Sequence, residues 1–217
     1  MMDMIRNLQS QLQPLVLTAL VALFAIVCHE CAHGWVSCKL GDPTAKNAGR
    51  LTLNPLKHID PVGMLCMVVF RIGWAKPVPI NPYYYRDRKK GILYVSLAGP
   101  VMNAILAFVS LLTEGLLIKF APSNHIRLIF LQLCYYSAVI NIGLCLFNLV
   151  PIPPLDGSKV VGALWPKAGA FYWKHQKYWR WILLICILTG LLSKPLGMLN
   201  HILLNGMWRL VRLILQI

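Results

Sequence analysis

The run Thr18-Ala-Leu-Val-Ala-Leu-Phe-Ala-Ile-Val27 passes without a break into Cys28-His29-Glu30-Cys31-Ala32-His33. From about Pro14 to Val36 the segment is apolar, roughly 35 Å if helical and long enough to cross a bilayer. A charged group at the centre of such a helix costs about 3 kcal/mol to insert, so an acid kept there is a functional candidate by default. Two histidines four residues apart lie on one helix face, one turn from each other. Both can turn a ring nitrogen toward one metal ion, and Glu30 can take a proton from a water bound to that metal. Plain core or interfacial histidines explain the pattern less well, because two of them flank a glutamate on an apolar helix.

The chain around this motif is 58% hydrophobic with a mean hydropathy of +0.62. Soluble domains lie nearer about 45–50% apolar, so the expectation is a multi-pass membrane protein. A secretory signal fits poorly, since no small-residue cleavage site precedes the His-Glu pair and further apolar segments follow. The net charge of +14 does not point to nucleic acid. Its basic residues lie between apolar segments, where topology and anionic lipid headgroups account for them. Acidic residues number only seven, and Glu30 and Glu114 are the two glutamates. Glu114 sits near the end of its apolar segment and is the weaker candidate. The seven cysteines lie mostly in apolar runs and behave as small hydrophobes. Cys28 and Cys31 form a C-x-x-C, but on a helix interrupted by His-Glu a redox pair is not expected.

Three spans are expected, at about 14–36, 92–118 and 128–150. Residues 38–91 carry ten Lys or Arg, which by the positive-inside rule places that loop in the cytoplasm and the N-terminus outside. Within the loop, Arg50-Leu-Thr-Leu-Asn54 alternates like a strand. The stretch Pro61–Phe70 is too short to span and reads as re-entrant or interfacial. Lys76-Pro-Val-Pro-Ile-Asn-Pro82 is an extended, proline-stiffened connection. On the second span Ser96, Gly99, Pro100, Asn103, Ala107 and Ser110 make a small, weakly polar face for close helix packing. On the third, Ser137, Asn141, Cys145 and Asn148 share a stripe. This span ends in Asn148-Leu-Val-Pro-Ile-Pro-Pro-Leu-Asp-Gly157, whose prolines stop the helix. The next basic loop carries Lys159, Lys167, Lys174 and Lys177, with an aromatic belt at Trp173, Tyr178, Trp179 and Trp181. A fourth apolar segment, 181–192, is short for a span. The tail, 196–217, puts His201, Asn205, Arg209 and Arg212 on one stripe, and either lies in the interface or closes the bundle.

A catalytic zinc takes three protein ligands and keeps one position open. His29 and His33 supply two. The candidates for the third are Asp156, Asp60, Asp42, His58 and the two nearby cysteines. The first span descends to the cytoplasmic side and the third ends there, so Asp156 stands at the depth of the histidines. Asp156 is the first choice and Asp60 the second. Zinc lowers the pKa of its water to about 7, and Glu30 would accept the proton and pass it to a leaving amine. Asn103 and Asn148 are neutral amides suited to hold an oxyanion or a substrate backbone.

His29-Glu-Cys-Ala-His33, Gly99-Pro-Val-Met-Asn103 and Asn148–Gly157 together resemble the site-2 protease family of intramembrane zinc metalloproteases. The stretches 49–63 and 74–82 resemble its compact prokaryotic branch, which has no PDZ domain. The resemblance implies an all-α polytopic membrane protein: three core transmembrane helices, C-terminal helices and a small membrane-associated β element at 50–54. It implies a single integral-membrane metalloprotease domain over 1–217, with a core at about 14–165 and C-terminal helices at about 178–217. It implies one Zn2+ per chain on His29, His33 and Asp156, with Glu30 as general base and Asn103 and Asn148 beside metal and substrate. The expected partners are a transmembrane protein substrate and a bilayer with anionic headgroups, with homo-oligomers left open and no nucleic acid. The expected location is a prokaryotic plasma membrane, with the active site toward the cytoplasm. Cys31 departs from the family pattern, where a bulkier or plain apolar residue is usual. A catalytically silent binder (a pseudoprotease) and a metal transporter are the alternatives. The transporter reading is weakened because the candidate ligands cluster in the cytoplasmic half.

Overall fold

The computed structural model describes residues 2–60, 63 and 76–217, with the side chains of residues 2–11 and 13 left out. The expected re-entrant stretch 61–70 therefore lies outside the described residues except for Gly63, as do Cys66 and Trp74.

Three long helices form the body of the molecule. Helix α1 covers Met2–Lys39 and runs on through Pro14. A short α2 follows at Thr44–Asn47. The next long helix, α3, covers Arg88–Phe120 and continues through Pro100. Asp87 caps its start by accepting the Lys90 N–H at 3.0 Å. Helix α4 covers His125–Leu149, capped by Asn124, which accepts the Arg127 N–H at 2.8 Å. Pro14–Lys39, α3 and α4 are each long and apolar enough to cross a membrane. Only 33%, 22% and 22% of their most apolar windows are buried within the protein, so the remaining apolar surface is left to lipid. The chain is an all-α integral membrane protein.

After α4 the chain turns through Val150–Leu155 into α5 (Asp156–Leu164), then α6 (Pro166–Lys174), α7 (Gln176–Leu188) and α8 (Ser193–Leu215). Helices α7 and α8 are bent by 73° and make a fourth span only if counted as one broken element. The tail closes the bundle: Val211 is fully buried against Leu111 of α3 and Ala138 of α4. Asn200 adds a hydrogen bond from its Nδ2 to the Val139 carbonyl at 3.0 Å. His201, Asn205, Arg209 and Arg212 form the exposed side of the same helix.

The β element expected at 50–54 is not a strand. Residues 51 and 52 form a bend, and among the described residues there is no sheet, only a single bridge position at Ile59. Short-range bonds win over ladder formation here. Thr52 Oγ1 accepts the Asn54 N–H at 3.2 Å, and Asn54 Oδ1 accepts the Leu56 N–H at 3.0 Å, starting a 3-10 turn at Pro55–Lys57. The Thr52 carbonyl accepts from the Cys31 thiol at 2.9 Å and contacts His58 Nε2 at 2.8 Å, so it is spent on side chains.

Candidate metal centre

His29 and His33 lie one turn apart on α1, which packs against α3 and α4. Asp156 is the first residue of α5. The proline-rich turn before it fixes its approach, and Gly157 makes that turn possible. A Cβ at Gly157 would stand 2.2 Å from the Leu149 carbonyl oxygen, so only glycine lets the chain fold back over the end of α4.

The three side chains converge although 127 residues separate the first from the last. His29 Nε2 and His33 Nε2 are 3.0 Å apart, and each faces Asp156 Oδ2, at 3.2 and 3.0 Å. All three residues are buried. Among the described residues this is the one group of three or more His, Cys, Asp or Glu whose ligand atoms come together in this way. The sides of the triangle are close to the ligand separations of roughly 3.3 Å that tetrahedral bonds of ~2.0 Å impose. Gly99 on α3 faces the same point: a Cβ there would come within 2.5 Å of both Nε2 atoms.

The far side of each ring is already committed. His29 Nδ1 donates to Asn103 Oδ1 at 2.6 Å, and His33 Nδ1 donates to the Val95 carbonyl at 2.6 Å. With Nδ1 protonated on both rings, the two Nε2 lone pairs and an acidic oxygen point at one spot, a donor set that suits a divalent cation and little else. Burial opposes ionisation of Asp156, and the Lys159 ammonium beside it favours the carboxylate. Lys159 Nζ donates to the other oxygen, Oδ1, at 2.8 Å.

Glu30, between the histidines, is half-buried, and its Oε2 accepts the Val78 N–H at 2.9 Å. Asn103 is fully buried and wholly engaged: besides the His29 ring it donates from Nδ2 to Asn141 Oδ1 at 2.8 Å and toward the Ala25 carbonyl at 3.4 Å. It orients a ring and has no free donor for an oxyanion. Asn148 turns back on its own helix, donating to the Leu144 carbonyl at 2.9 Å. Asn141, on the polar stripe of the third span, is a further participant, one whose role its spacing alone does not reveal. Its amide also donates to the Ser137 carbonyl at 2.9 Å, and Ser137 in turn accepts the Ser110 hydroxyl at 2.7 Å.

The remaining third-ligand candidates lie elsewhere. Asp60 accepts the Gly63 N–H at 3.0 Å. His58 and Cys31 are joined through the Thr52 carbonyl. Asp42 is fully buried among hydroxyls and backbone N–H groups. Burial would raise its pKa, but the N–H of Asn81 and the groups of Thr44 and Ser37 outweigh this and hold it below the usual carboxylate range.

One hollow touches the centre, and a second is lined by neighbours of the ligands on α1 but by none of the ligands themselves. A cavity of about 300 Å³ lies against His33, lined by Val78, Ile80, Val95 and Lys159 among others. A larger apolar groove of about 640 Å³ runs between α1 and α3, past Cys28, Trp35, Leu51 and Val101.

A family model, Peptidase family M50, matches residues 113–190, a stretch that includes Asn141, Asn148 and Asp156. Several relatives carry the description "Putative zinc metalloprotease". YwhC of Bacillus subtilis is 38% identical over 164 residues, covering 71% of each chain. MJ0611 of Methanocaldococcus jannaschii is 30% identical over 168 residues, covering 73% of this chain and 75% of that one. Rip2 of Mycolicibacterium smegmatis is 33% identical over 150 residues, and the match spans only 54% of its length. No solved structure matches the chain.

Proposed function

From its membership of peptidase family M50, to which this chain belongs, we propose that it is a zinc endopeptidase that hydrolyses peptide bonds of transmembrane proteins at or within the bilayer. The metalloendopeptidase activity and the zinc are properties of the family. The assignment of residues and of a membrane-embedded substrate is our reading. Its main support is the convergence of His29 Nε2, His33 Nε2 and Asp156 Oδ2 within 3.0–3.2 Å of one another.

His29, His33 and Asp156 would hold the ion. A zinc held there would supply Lewis-acid chemistry, bringing the pKa of a water to about 7. Glu30 takes the proton of the attacking water and delivers it to the leaving amine. Its Oε2 accepts the Val78 N–H, which leaves Oε1 available for the proton. Asn103 and the Val95 carbonyl hold the two rings in the tautomer that leaves Nε2 free. The apolar groove between α1 and α3 suits a substrate arriving from lipid, and the cavity against His33 suits one of its side chains. Asn148, with its Oδ1 unused, remains the candidate for contact with the substrate backbone.

The basic loops support a site facing the cytoplasm with the N-terminus outside, and the bacterial and archaeal relatives support a prokaryotic plasma membrane. The test is cleavage of a candidate membrane substrate by purified wild type and Glu30→Gln. The variant should keep its zinc and lose at least about 10²-fold in rate. Equal rates would remove Glu30 from the mechanism.

A further inference from the structure

The segment Lys76–Pro82 crosses the site as an extended strap held at three points. Arg50 Nη2 donates to the Lys76 carbonyl at 2.6 Å, the Val78 N–H donates to Glu30 Oε2 at 2.9 Å, and the Asn81 N–H donates to Asp42 Oδ2 at 2.7 Å. Pro77, Pro79 and Pro82 have no N–H and a fixed φ, so the strap is stiff and has few donors to spend. One of those few goes to the glutamate between the two histidines.

The strap is packed as well as tethered. Val78 is buried, and a Cβ at Gly34 on α1 would stand 3.0 Å from its Cγ1, so the strap lies directly on the helix that bears Glu30. Beyond Val78 its anchor is Asp42. Both carboxylate oxygens of Asp42 are spent: Oδ2 accepts the Ser37 hydroxyl at 2.7 Å as well as Asn81, and Oδ1 accepts the Thr44 N–H at 2.9 Å and the Thr44 hydroxyl. Ser37 Oγ also contacts the Tyr85 hydroxyl at 2.6 Å, just beyond the far end of the strap. Ser37 lies seven residues after Glu30, on the same face of α1. Asp42 therefore ties the strap to the helix whose carboxylate the strap holds.

We propose that Asp42 is a positioning residue for Glu30: by fixing Asn81 and Ser37 it holds the strap in the register that keeps the Val78 N–H on Glu30 Oε2. The inference rests on Glu30 being the general base. A fully buried carboxylate outside the metal centre would otherwise serve only to close a loop, and the two roles differ in what they change. A loop closure affects folding and zinc retention. A positioning residue affects turnover in protein that is folded and loaded.

The experiment uses the full chain, purified and zinc-loaded, as wild type, Asp42→Asn and Pro79→Gly. Pro79 is exposed, so loosening the strap there leaves the buried network untouched. Zinc content, kcat and KM on a membrane substrate, and hydrogen exchange of the peptide containing residues 76–82 are measured together. In Asp42→Asn zinc and KM should stay within about twofold while kcat falls about tenfold, as expected for a displaced catalytic group. Exchange of the strap amides should rise at least about tenfold. Pro79→Gly should change kcat and exchange in the same direction by less, and it decides the question if Asp42→Asn does not fold. A loss of kcat only in proportion to lost zinc, or a loosened strap with unchanged kcat, overturns the proposal. Glu30→Ala removes the acceptor of Val78 and should speed exchange of the same peptide. Because that arm needs no cleavage, unchanged exchange there defeats the tether separately from the peptidase reading.

Discussion

Asn103 Oδ1 lies 2.6 Å from His29 Nδ1, and the same amide donates to Asn141 on the neighbouring helix at 2.8 Å. One buried amide thus couples the first histidine of α1 to both α3 and α4. Its orientation follows from those partners, since Nδ2 has two carbonyl-type acceptors and Oδ1 has the ring N–H. The arrangement fixes the ring tautomer and raises the basicity of Nε2.

Replacing Asn103 by leucine should weaken zinc binding by 10- to 100-fold, the usual cost of losing an outer-shell partner. A competition titration against a chelator reads this directly. Asn141→Leu should act in the same direction more weakly, because it touches the ring only through Asn103. An unchanged affinity in Asn103→Leu would show that the ring needs no such support.

Gly99→Ala should abolish zinc binding without unfolding the bundle. The added Cβ would meet both Nε2 atoms at 2.5 Å, and the rings cannot withdraw while their Nδ1 atoms are held. Gly197→Ala serves as the control, since nothing lies within 4 Å of a Cβ there. Metal content and melting temperature of the two variants in detergent check the contrast.

Asp42 should mark the acid limb of stability. Its folded pKa lies below the unfolded value of about 3.9, so its ionised form favours the folded state. That contribution is fully present above about pH 4 and fades as pH falls through the lower, folded pKa. The melting temperature of the wild type should therefore hold above this range and drop below it. Asp42→Asn should start lower and lose less on acidification. An identical acid limb in both would rule out this role.

Much of the site can be read from the sequence because helix geometry is local. The spacing of His29 and His33 fixes their common face, and the prolines after Asn148 announce a turn that must end near the same depth. The ring partners are harder to read. Asn103 and Asn141 stand 38 residues apart and meet only because α3 and α4 pack at this level. Nothing in the spacing of Asn148 shows that its amide would fold back on Leu144. The alternation at 50–54 misleads for a physical reason: Thr52 and Asn54 side chains satisfy nearby N–H groups, and the Thr52 carbonyl serves Cys31 and His58. Asp42, a candidate ligand by residue type, belongs instead to the strap.

Zinc analysis of the purified wild type beside Asp156→Ala tests the account most directly. We expect one zinc per wild-type chain and its loss from the variant during dialysis against a mild chelator, since two imidazoles alone hold the ion far more weakly than three ligands. Zinc retained mole for mole by Asp156→Ala would contradict the account, because the carboxylate on α5 would then play no part in holding it.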